Sequence, residues 1–338
     1  MTTITSQQNQ GVYTVLFHGN CIDGWFTAYI SYIYLKTTNT VKMFPISPNQ
    51  RNTWPSDKEL TGTHILLADV SVEESIRAEW MRKGVLSVDC IDHHASAIAH
   101  WPTNADGSST VIDTKQCASL QAWRIFFSML PIPGWLQQID RIDRWDNPTY
   151  EDRCLREYLY LIAHLPVQKK LDEAIRRTDE FFNLYNDPIQ FQNLMLIGKQ
   201  ILDKKDADLF QLLQKGSVIN IGPQHITTWH LPNHWLGRNI YLIDNTFIPF
   251  DTTEAAYIVF CHMPHVDAFV NFRRKVFLDK SIKMEKTIFV YSARSRGFDV
   301  TQGTIFKGHP TSAGASIILG ESVVYPFVSI PPTVATTS

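Results

Sequence analysis

Aspartate and histidine side chains follow three apolar, strand-like runs in the first half of the sequence. The first run leads into His18 and Asp23, the second ends at Asp69, and the third ends in a triplet at positions 92–94. Imidazole and carboxylate groups together are suitable ligands for Mn²⁺ or a similar divalent ion. Any one of these residues alone is more often a helix cap or a solvated polar group. Because the pattern recurs after three runs, the sequence predicts a divalent-metal centre.

A fourth acidic element lies in the segment 135–146. It contains Asp140 and Asp143, which are three positions apart and share one face if the segment is a helix. The alternative is that these carboxylates pair with Arg141 and Arg144 at a solvated helix end. Both interpretations stay open for each aspartate.

The elements that position these residues alternate between strand and helix, which is typical of a parallel sheet covered by helices. We predict strands at 12–17, 41–46, 64–70, 85–91 and 110–113, and helices at 24–36 and 119–129. A further helix is expected after an N-cap at Ser71 and ends at Lys83, before Gly84. In such a sheet the loops after the strands gather at one edge, so the candidate ligands should meet there.

The second half of the chain begins with sustained helical periodicity and then returns to strand-like runs. We predict strands at 217–221, 226–231, 239–243, 267–272 and 287–291, with a helix at 253–261. The predicted domains are a metal-binding catalytic domain over 11–152, a helical connector over 153–215 and a smaller α/β domain over 216–328. The fold class is therefore α/β, with a parallel-sheet domain joined by helices to a smaller domain.

The composition excludes several other classes of protein. Of the 338 residues, 44% are hydrophobic and 19% are charged, with a mean hydropathy of -0.14, which fits neither a disordered chain nor a membrane protein. The formal net charge of -2 gives no global field for long duplex nucleic acid, so a phosphate partner must be held locally. The five cysteines are scattered without a C-x-x-C pair, and no export signal is evident. We therefore expect a cytoplasmic protein.

Taken in order, these motifs resemble the DHH phosphoesterase superfamily, which includes the RecJ exonucleases, the nanoRNases and the cyclic-dinucleotide phosphodiesterases. The resemblance rests first on the Asp92-His93-His94 triplet, preceded by Asp69 and by His18 with Asp23-Gly24. Near the other end, the segment 306–315 resembles the G-G-G-H-x-x-A-A-G loop of the companion DHHA1 domain. The preceding Ser292-Ala293-Arg294-Ser295 resembles the S-x-R-S strand of that domain. The resemblance covers nearly the whole chain.

The resemblance implies two Mn²⁺ ions in the first domain, with Mg²⁺ or Co²⁺ as substitutes. Asp69 would bridge the ions, and Asn20 stands where the family carries its first carboxylate, so that amide is a weaker candidate ligand. Such a pair activates a water as nucleophile and neutralises charge on the phosphoryl group. The implied ligands are His18 and Asn20 at the first ion, Asp69 at both, and Asp23, His93 and Asp140 at the second.

The remaining implied roles concern the substrate. His94 would touch the substrate phosphate, and Asp92 would orient the histidines. In the second domain a guanidinium and backbone amides would hold a phosphate or terminal nucleotide, with His309 acting in catalysis. The implied substrate-binding residues are Arg294, Ser295, Lys307, Gly308 and His309.

The expected function is that of a metal-dependent phosphodiesterase. It would hydrolyse short nucleotides, such as single-stranded oligoribonucleotides or cyclic and linear dinucleotides, to mononucleotides. Two alternatives stay open: a nucleotide bisphosphate phosphatase of the same superfamily, and a degenerate, noncatalytic DHH scaffold that binds nucleic acid or protein. A homodimer is compatible with either, and no membrane partner is expected.

Overall fold

The computed structural model describes most of the chain, with gaps at its ends and in several loops. The described residues are 11–48, 50–101, 110–146, 148–164, 170–229, 231–244, 246, 251–279, 284–300, 302, 307–309 and 312–318. The chain divides into two compact units, Met1–Asp203 and Lys204–Ser338. The predicted connector, 153–215, therefore lies mostly in the first unit, and the last ten residues of the predicted second domain, 319–328, lie outside the described residues.

The first unit contains a five-stranded sheet in which every pair is parallel. Its strands are β1 (Val12–His18), β2 (Thr40–Ile46), β3 (His64–Ala68), β4 (Ser87–Asp92) and β5 (Thr110–Ile112). They lie in the order β2-β1-β3-β4-β5. This confirms the predicted α/β class with a parallel sheet. The strand order reverses beside β1, which makes the edge above β1 and β3 the position where such sheets bind ligands.

Helices follow each of the first four strands and then form a helical layer. They are α1 (Ile22–Leu35), α2 (Asp57–Leu60), α3 (Glu74–Arg82), α4 (Ala95–His100), α5 (Ala118–Phe126), α6 (Gly134–Asp143), α7 (Tyr150–Ala163) and α8 (Leu171–Tyr185). The long helix α9 (Pro188–Leu213) continues across the boundary between the units. The start of α7 is fixed by a capping box, in which Thr149 and Asp152 satisfy each other's backbone N–H groups.

The predicted N-cap at Ser71 is wrong, because α3 begins after Glu73. Val70 and Val72 are both buried in the core beside the sheet. Only an extended backbone places alternate residues on one face, so burial of both valines keeps the chain extended until Glu73.

Alternate residues of the strands enter two separate cores, one on each face of the sheet. Val15 and Phe17 of β1 pack with α1 and the helices α5 to α8, whereas Leu16 packs with α3 on the opposite face. The same alternation places Leu66 in the first core and Leu67 in the second. Burial on both faces explains why these strands are continuous apolar runs.

The second unit contains a six-stranded mixed sheet. Its elements are β6 (Ser217–Asn220), α10 (Pro223–Trp229), β7 (Asn239–Asp244), α11 (Thr252–His262), β8 (Ala268–Asp279), β9 (Met284–Ser295), β10 (Lys307–His309) and β11 (Ser312–Ile318). The strand order is β10-β11-β9-β8-β7-β6, and only the β7–β8 pair is parallel. Among the described helices of the chain, none is long and apolar enough to cross a membrane.

The strand predicted at 226–231 is wrong, because residues up to Trp229 form α10. Pro223 is the first helical residue, where its fixed φ favours a helix start. The N–H of Gly222 donates to Nδ1 of His225, which satisfies a backbone group at the helix start. These local signals outweigh the strand preference of the β-branched residues within the segment.

Candidate metal centre

The candidate ligands of the first unit converge at the edge of the sheet where the strand order reverses. His18 is the last residue of β1, Asp69 directly follows β3, and His93 directly follows β4. The register pairs Phe17 with Ala68, and Ala68 with Ile91, so the three strands end side by side. The parallel sheet therefore brings these side chains together, although they are far apart in the sequence.

Asp69 lies at the centre of the cluster and is 1% exposed. Its Oδ2 lies 3.3 Å from Nδ1 of His18, and its Oδ1 lies 3.3 Å from Nε2 of His93 and 3.7 Å from Nδ1 of His94. Burial by itself would raise the pKa of Asp69, but the contacts with His18 and His93 hold that pKa well below its usual value. The backbone of Asp69 is left-handed, with φ 59°, which is uncommon outside glycine and frequent at functional sites.

Asp23 is the buried carboxylate of the first turn of α1. Its two oxygens accept the N–H groups of Ala118 and Ser119, at 2.7 and 2.8 Å, at the N-terminus of α5. Its Oδ2 also lies 3.8 Å from Nε2 of His93. Burial and the nearby Asp69 raise the pKa of Asp23 to about 6. The N-terminus of α5 thus holds a carboxylate in the cluster where a free charge would be costly.

Gly24 lets α1 start close to the end of β1. A Cβ at this position would collide with the carbonyl oxygen and Cβ of His18. Only glycine permits this close approach of the helix to the strand. In the Asp23-Gly24 pair, the glycine therefore allows α1 to approach β1, and this approach places the Asp23 carboxylate at the sheet edge.

Asp92, which is fully buried, holds the DHH triplet in place. Its Oδ1 accepts the backbone N–H groups of His93 at 2.7 Å and His94 at 3.1 Å. The same oxygen lies 2.7 Å from Nδ1 of His94. Contact with Asp92 raises the pKa of His94 to about 9 against the opposing effect of burial. Asp92 is thus positioned to orient the turn and the His94 ring, which is the role that the resemblance implies for it.

The structure does not bring Asp140 into the cluster. Its carboxylate accepts the backbone N–H of Cys117 at 2.6 Å and binds the Arg144 guanidinium through both oxygens, at 3.1 and 2.8 Å. Oδ2 of Asp143 instead lies 3.1 Å from Nε2 of His93. Of the two alternatives that the sequence left open, the ion-pair interpretation fits Asp140 and the ligand interpretation fits Asp143.

Cys21 joins the cluster, although no role is predicted for it from the sequence. Its sulfur and one ligand atom each of His18 and Asp69 all lie within 4.8 Å of one another. Asn20, the residue before it, is exposed and has a left-handed φ of 59°. The only sequence signal for Cys21 is its position inside the loop that carries His18 and Asp23.

The donor set fits a pair of divalent cations. Overlapping groups of possible ligand atoms lie within 4.8 Å of one another: His18, Cys21 and Asp69; Asp69, His93 and His94; and Asp23, His93 and Asp143. Oδ1 of Asp69 and Oδ2 of Asp143 are buried without a hydrogen-bond partner. Burial would lower the pKa of His93, but the surrounding carboxylates raise it to about 10. Both oxygens lie near the single Nε2 of His93, at 3.3 and 3.1 Å, which has one proton at most to donate, so a bound cation would supply the missing partner.

The predicted substrate residues of the second unit fall on two strands, β9 and β10, which are separated by β11. Arg294 of β9 pairs in register with Ser312 of β11, which pairs with His309 of β10. The Arg294 guanidinium donates to the carbonyl of Ala293 and to the hydroxyl of Thr253, at 2.9 and 3.2 Å, and its burial lowers its pKa.

The other predicted substrate residues lie on the same strands. Ser295 donates from its hydroxyl to the carbonyl of Phe298 at 2.5 Å. The backbones of Lys307, Gly308 and His309 form β10, and the side chains of Lys307 and His309 lie outside the described part of the chain.

Comparison with known proteins gives structural similarity and no close relative. No protein-family model matches the sequence, and no curated protein matches it significantly. Among solved structures, the chain is similar to RecJ from Thermus thermophilus in complex with Mn²⁺, with 13% identity and a TM-score of 0.44. That similarity covers 90% of this chain and 49% of the RecJ chain, so this chain spans about half of that length.

The chain is also similar to CDC45 from Entamoeba histolytica, with 10% identity and a TM-score of 0.38, over 91% of this chain and 92% of that one. Membership of the DHH superfamily, and of its nanoRNase subgroup, stays a prediction.

Proposed function

We propose that this protein is a metal-dependent phosphodiesterase of the DHH type that hydrolyses short nucleotides to mononucleotides. The observation that carries the proposal is the cluster at the sheet edge, in which buried oxygens of Asp69 and Asp143 lack hydrogen-bond partners and lie among histidine nitrogens. The cluster lies where an open parallel sheet binds its ligands. Manganese is the proposed ion, with Mg²⁺ or Co²⁺ as substitutes.

The proposed ligands are taken from the geometry. They are His18 and Asp69 around one ion and Asp23, Asp69, His93 and Asp143 around the other. When bound, the ions would supply Lewis acidity at the phosphoryl group and lower the pKa of an attacking water. The protein contributes a fixed set of donors, since the N-terminal amides of α5 and the side chain of Asp92 hold the flanking groups in place.

His94 is the proposed contact to the reacting phosphate. Its side chain is 45% exposed, whereas the side chain of His93 is 13% exposed, so His94 borders the solvent side of the cluster. Asp92 engages Nδ1 of His94, which leaves Nε2 for other partners. A proton at Nε2 can then donate a hydrogen bond to a phosphate oxygen or to the departing oxygen.

The proposed substrate contacts in the second unit are Arg294, Ser295, Lys307, Gly308 and His309. Arg294 supports this assignment because its guanidinium is partly buried and makes no ion pair with a carboxylate among the described residues. A guanidinium of this kind forms strong bidentate hydrogen bonds with phosphate.

The test is a substrate panel with purified protein and added Mn²⁺. We expect hydrolysis of a dinucleotide and of a nitrophenyl phosphodiester, and loss of at least roughly 100-fold in kcat/KM on Asp69→Asn, because that change removes the central anionic ligand. Asp208→Asn, at an exposed aspartate, is the matched control and should keep full activity.

Two outcomes would replace the proposal with one of its alternatives. Faster turnover of a nucleotide bisphosphate than of any diester would identify a phosphatase. Metal binding without hydrolysis of any member of the panel would identify a noncatalytic scaffold.

A further inference from the structure

Cys21 occupies a position where a metal ligand is expected and where the sequence motif lacks one. The resemblance to DHH proteins leaves the neutral Asn20 at the place of the first carboxylate. Asn20 is exposed, whereas the sulfur of Cys21 lies within 4.8 Å of ligand atoms of both His18 and Asp69. A thiolate would restore the negative charge that the asparagine does not provide.

A second observation at the same place also indicates a ligand. Asp69 is 1% exposed; its Oδ2 faces His18, and its Oδ1, which faces His93 and His94, is buried without a hydrogen-bond partner. The cluster therefore combines a buried, under-satisfied carboxylate with an imidazole and a thiol. Three protein ligands of these types are typical of zinc sites that keep one position open for water or substrate.

The two halves of the cluster differ in the chemistry of their donors. The group Asp23, His93 and Asp143 offers only nitrogen and oxygen, which suits Mn²⁺ or Mg²⁺. The group His18, Cys21 and Asp69 adds sulfur, and thiolate selects softer ions such as Zn²⁺ or Co²⁺ over Mn²⁺.

We propose that Cys21 is a direct ligand of the first ion, so that His18, Cys21 and Asp69 form a thiolate site selective for Zn²⁺ or Co²⁺ beside a nitrogen and oxygen site for Mn²⁺. This inference rests on the metal centre of the proposed function and extends it to the identity of the ion. On binding, the thiol loses its proton to solvent and the sulfur donates an electron pair to the cation. No redox step is involved.

The experiment is a Co²⁺ titration of the metal-free, full-length protein followed by absorption spectroscopy. We expect a near-ultraviolet thiolate-to-cobalt charge-transfer band that saturates at one ion per chain and is displaced by Zn²⁺. Cys21→Ser should abolish the band and weaken Zn²⁺ binding by at least roughly 10-fold, since even the loss of a supporting group costs 10–100-fold in affinity. Mn²⁺ affinity of the other site, measured by electron paramagnetic resonance, should change less than Zn²⁺ affinity.

Cys261→Ser is the matched control, because Cys261 is an exposed cysteine in the second unit. That variant should keep the band and the Zn²⁺ affinity of the wild type. Alkylation of the unaltered protein gives a second test, which does not depend on whether the Cys21 variant folds. Zn²⁺ should protect Cys21 from alkylation, while Cys261 in the same sample should react at an unchanged rate.

The outcomes separate this inference from the proposed function. Cobalt binding without the band, or equal alkylation of Cys21 with and without Zn²⁺, overturns Cys21 as a ligand even if phosphodiester hydrolysis is observed. The band and the protection, found in a protein that hydrolyses no phosphodiester, support the thiolate site and overturn the proposed function.

Discussion

Replacing Asp143 and Asp140 separately distinguishes a metal ligand from a structural carboxylate. The two residues belong to the same helix, α6, but contact different partners. Asp143 approaches His93 in the cluster, and Asp140 binds Arg144 and the N–H of Cys117. We expect Asp143→Ala to reduce Mn²⁺ affinity and activity, and Asp140→Ala to reduce stability.

The magnitude for Asp140→Ala follows from its contacts. Cys117 is fully buried, so its N–H would lose its acceptor, which costs about 1–3 kcal/mol. The ion pair to Arg144 is partly exposed and adds less than about 1 kcal/mol. The free energy of unfolding should therefore fall by about 1–4 kcal/mol. Since Asp140 is not in the cluster, kcat/KM of the folded protein should stay within a few-fold of the wild type.

Asp143→Ala should reduce Mn²⁺ affinity and activity strongly and stability only slightly. Oδ2 of Asp143 has no hydrogen-bond partner, so the loss of stability should be smaller than for Asp140→Ala. Removal of a ligand should lower Mn²⁺ affinity and kcat/KM by at least roughly 100-fold, which corresponds to about 2.7 kcal/mol of transition-state stabilisation. Denaturant unfolding, Mn²⁺ titration and steady-state kinetics on both variants make the comparison. If Asp140→Ala loses metal and Asp143→Ala does not, the assignment of Asp143 is refuted.

Two further predictions concern the groups around the substrate. Asp92→Asn should lower kcat roughly 10–100-fold, because it weakens the support of the His94 ring, and unchanged kcat would exclude that role. Arg294→Ala should cost a dinucleotide about 2–5 kcal/mol of transition-state stabilisation and a nitrophenyl phosphodiester much less, because only the larger substrate has a remote part to hold. Parallel kinetics on the two substrates measure the difference, and equal losses would show that Arg294 acts through folding.

The parallel sheet and the convergence of most candidate ligands could be predicted from the sequence because buried strands leave a simple pattern. Runs such as 12–17 and 64–70 are largely apolar, since both faces of the sheet are covered. The carboxyl ends of parallel strands meet at one edge, which places His18, Asp69 and His93 together without any knowledge of side-chain packing.

The choice between Asp140 and Asp143 could not be made in the same way. Positions three apart on a helix differ by about 60° around its axis, so both share a broad face. The rotation of α6 is fixed by Trp135, Leu136 and Ile139, which are buried against the first core. That rotation directs one carboxylate to Cys117 and the other to His93, and it depends on long-range packing that local periodicity does not contain.

The position of Cys21 in the cluster could not be predicted from residue types, because it depends on the backbone path after β1. The left-handed φ of Asn20 turns the chain between the end of β1 and the start of α1, and asparagine is among the residues that adopt this conformation most readily. This turn brings the following residue, Cys21, to the edge of the sheet beside His18 and Asp69. Asn20 therefore contributes this turn through its backbone, and in the proposed thiolate site the side chain of Cys21 takes the place of the expected carboxylate.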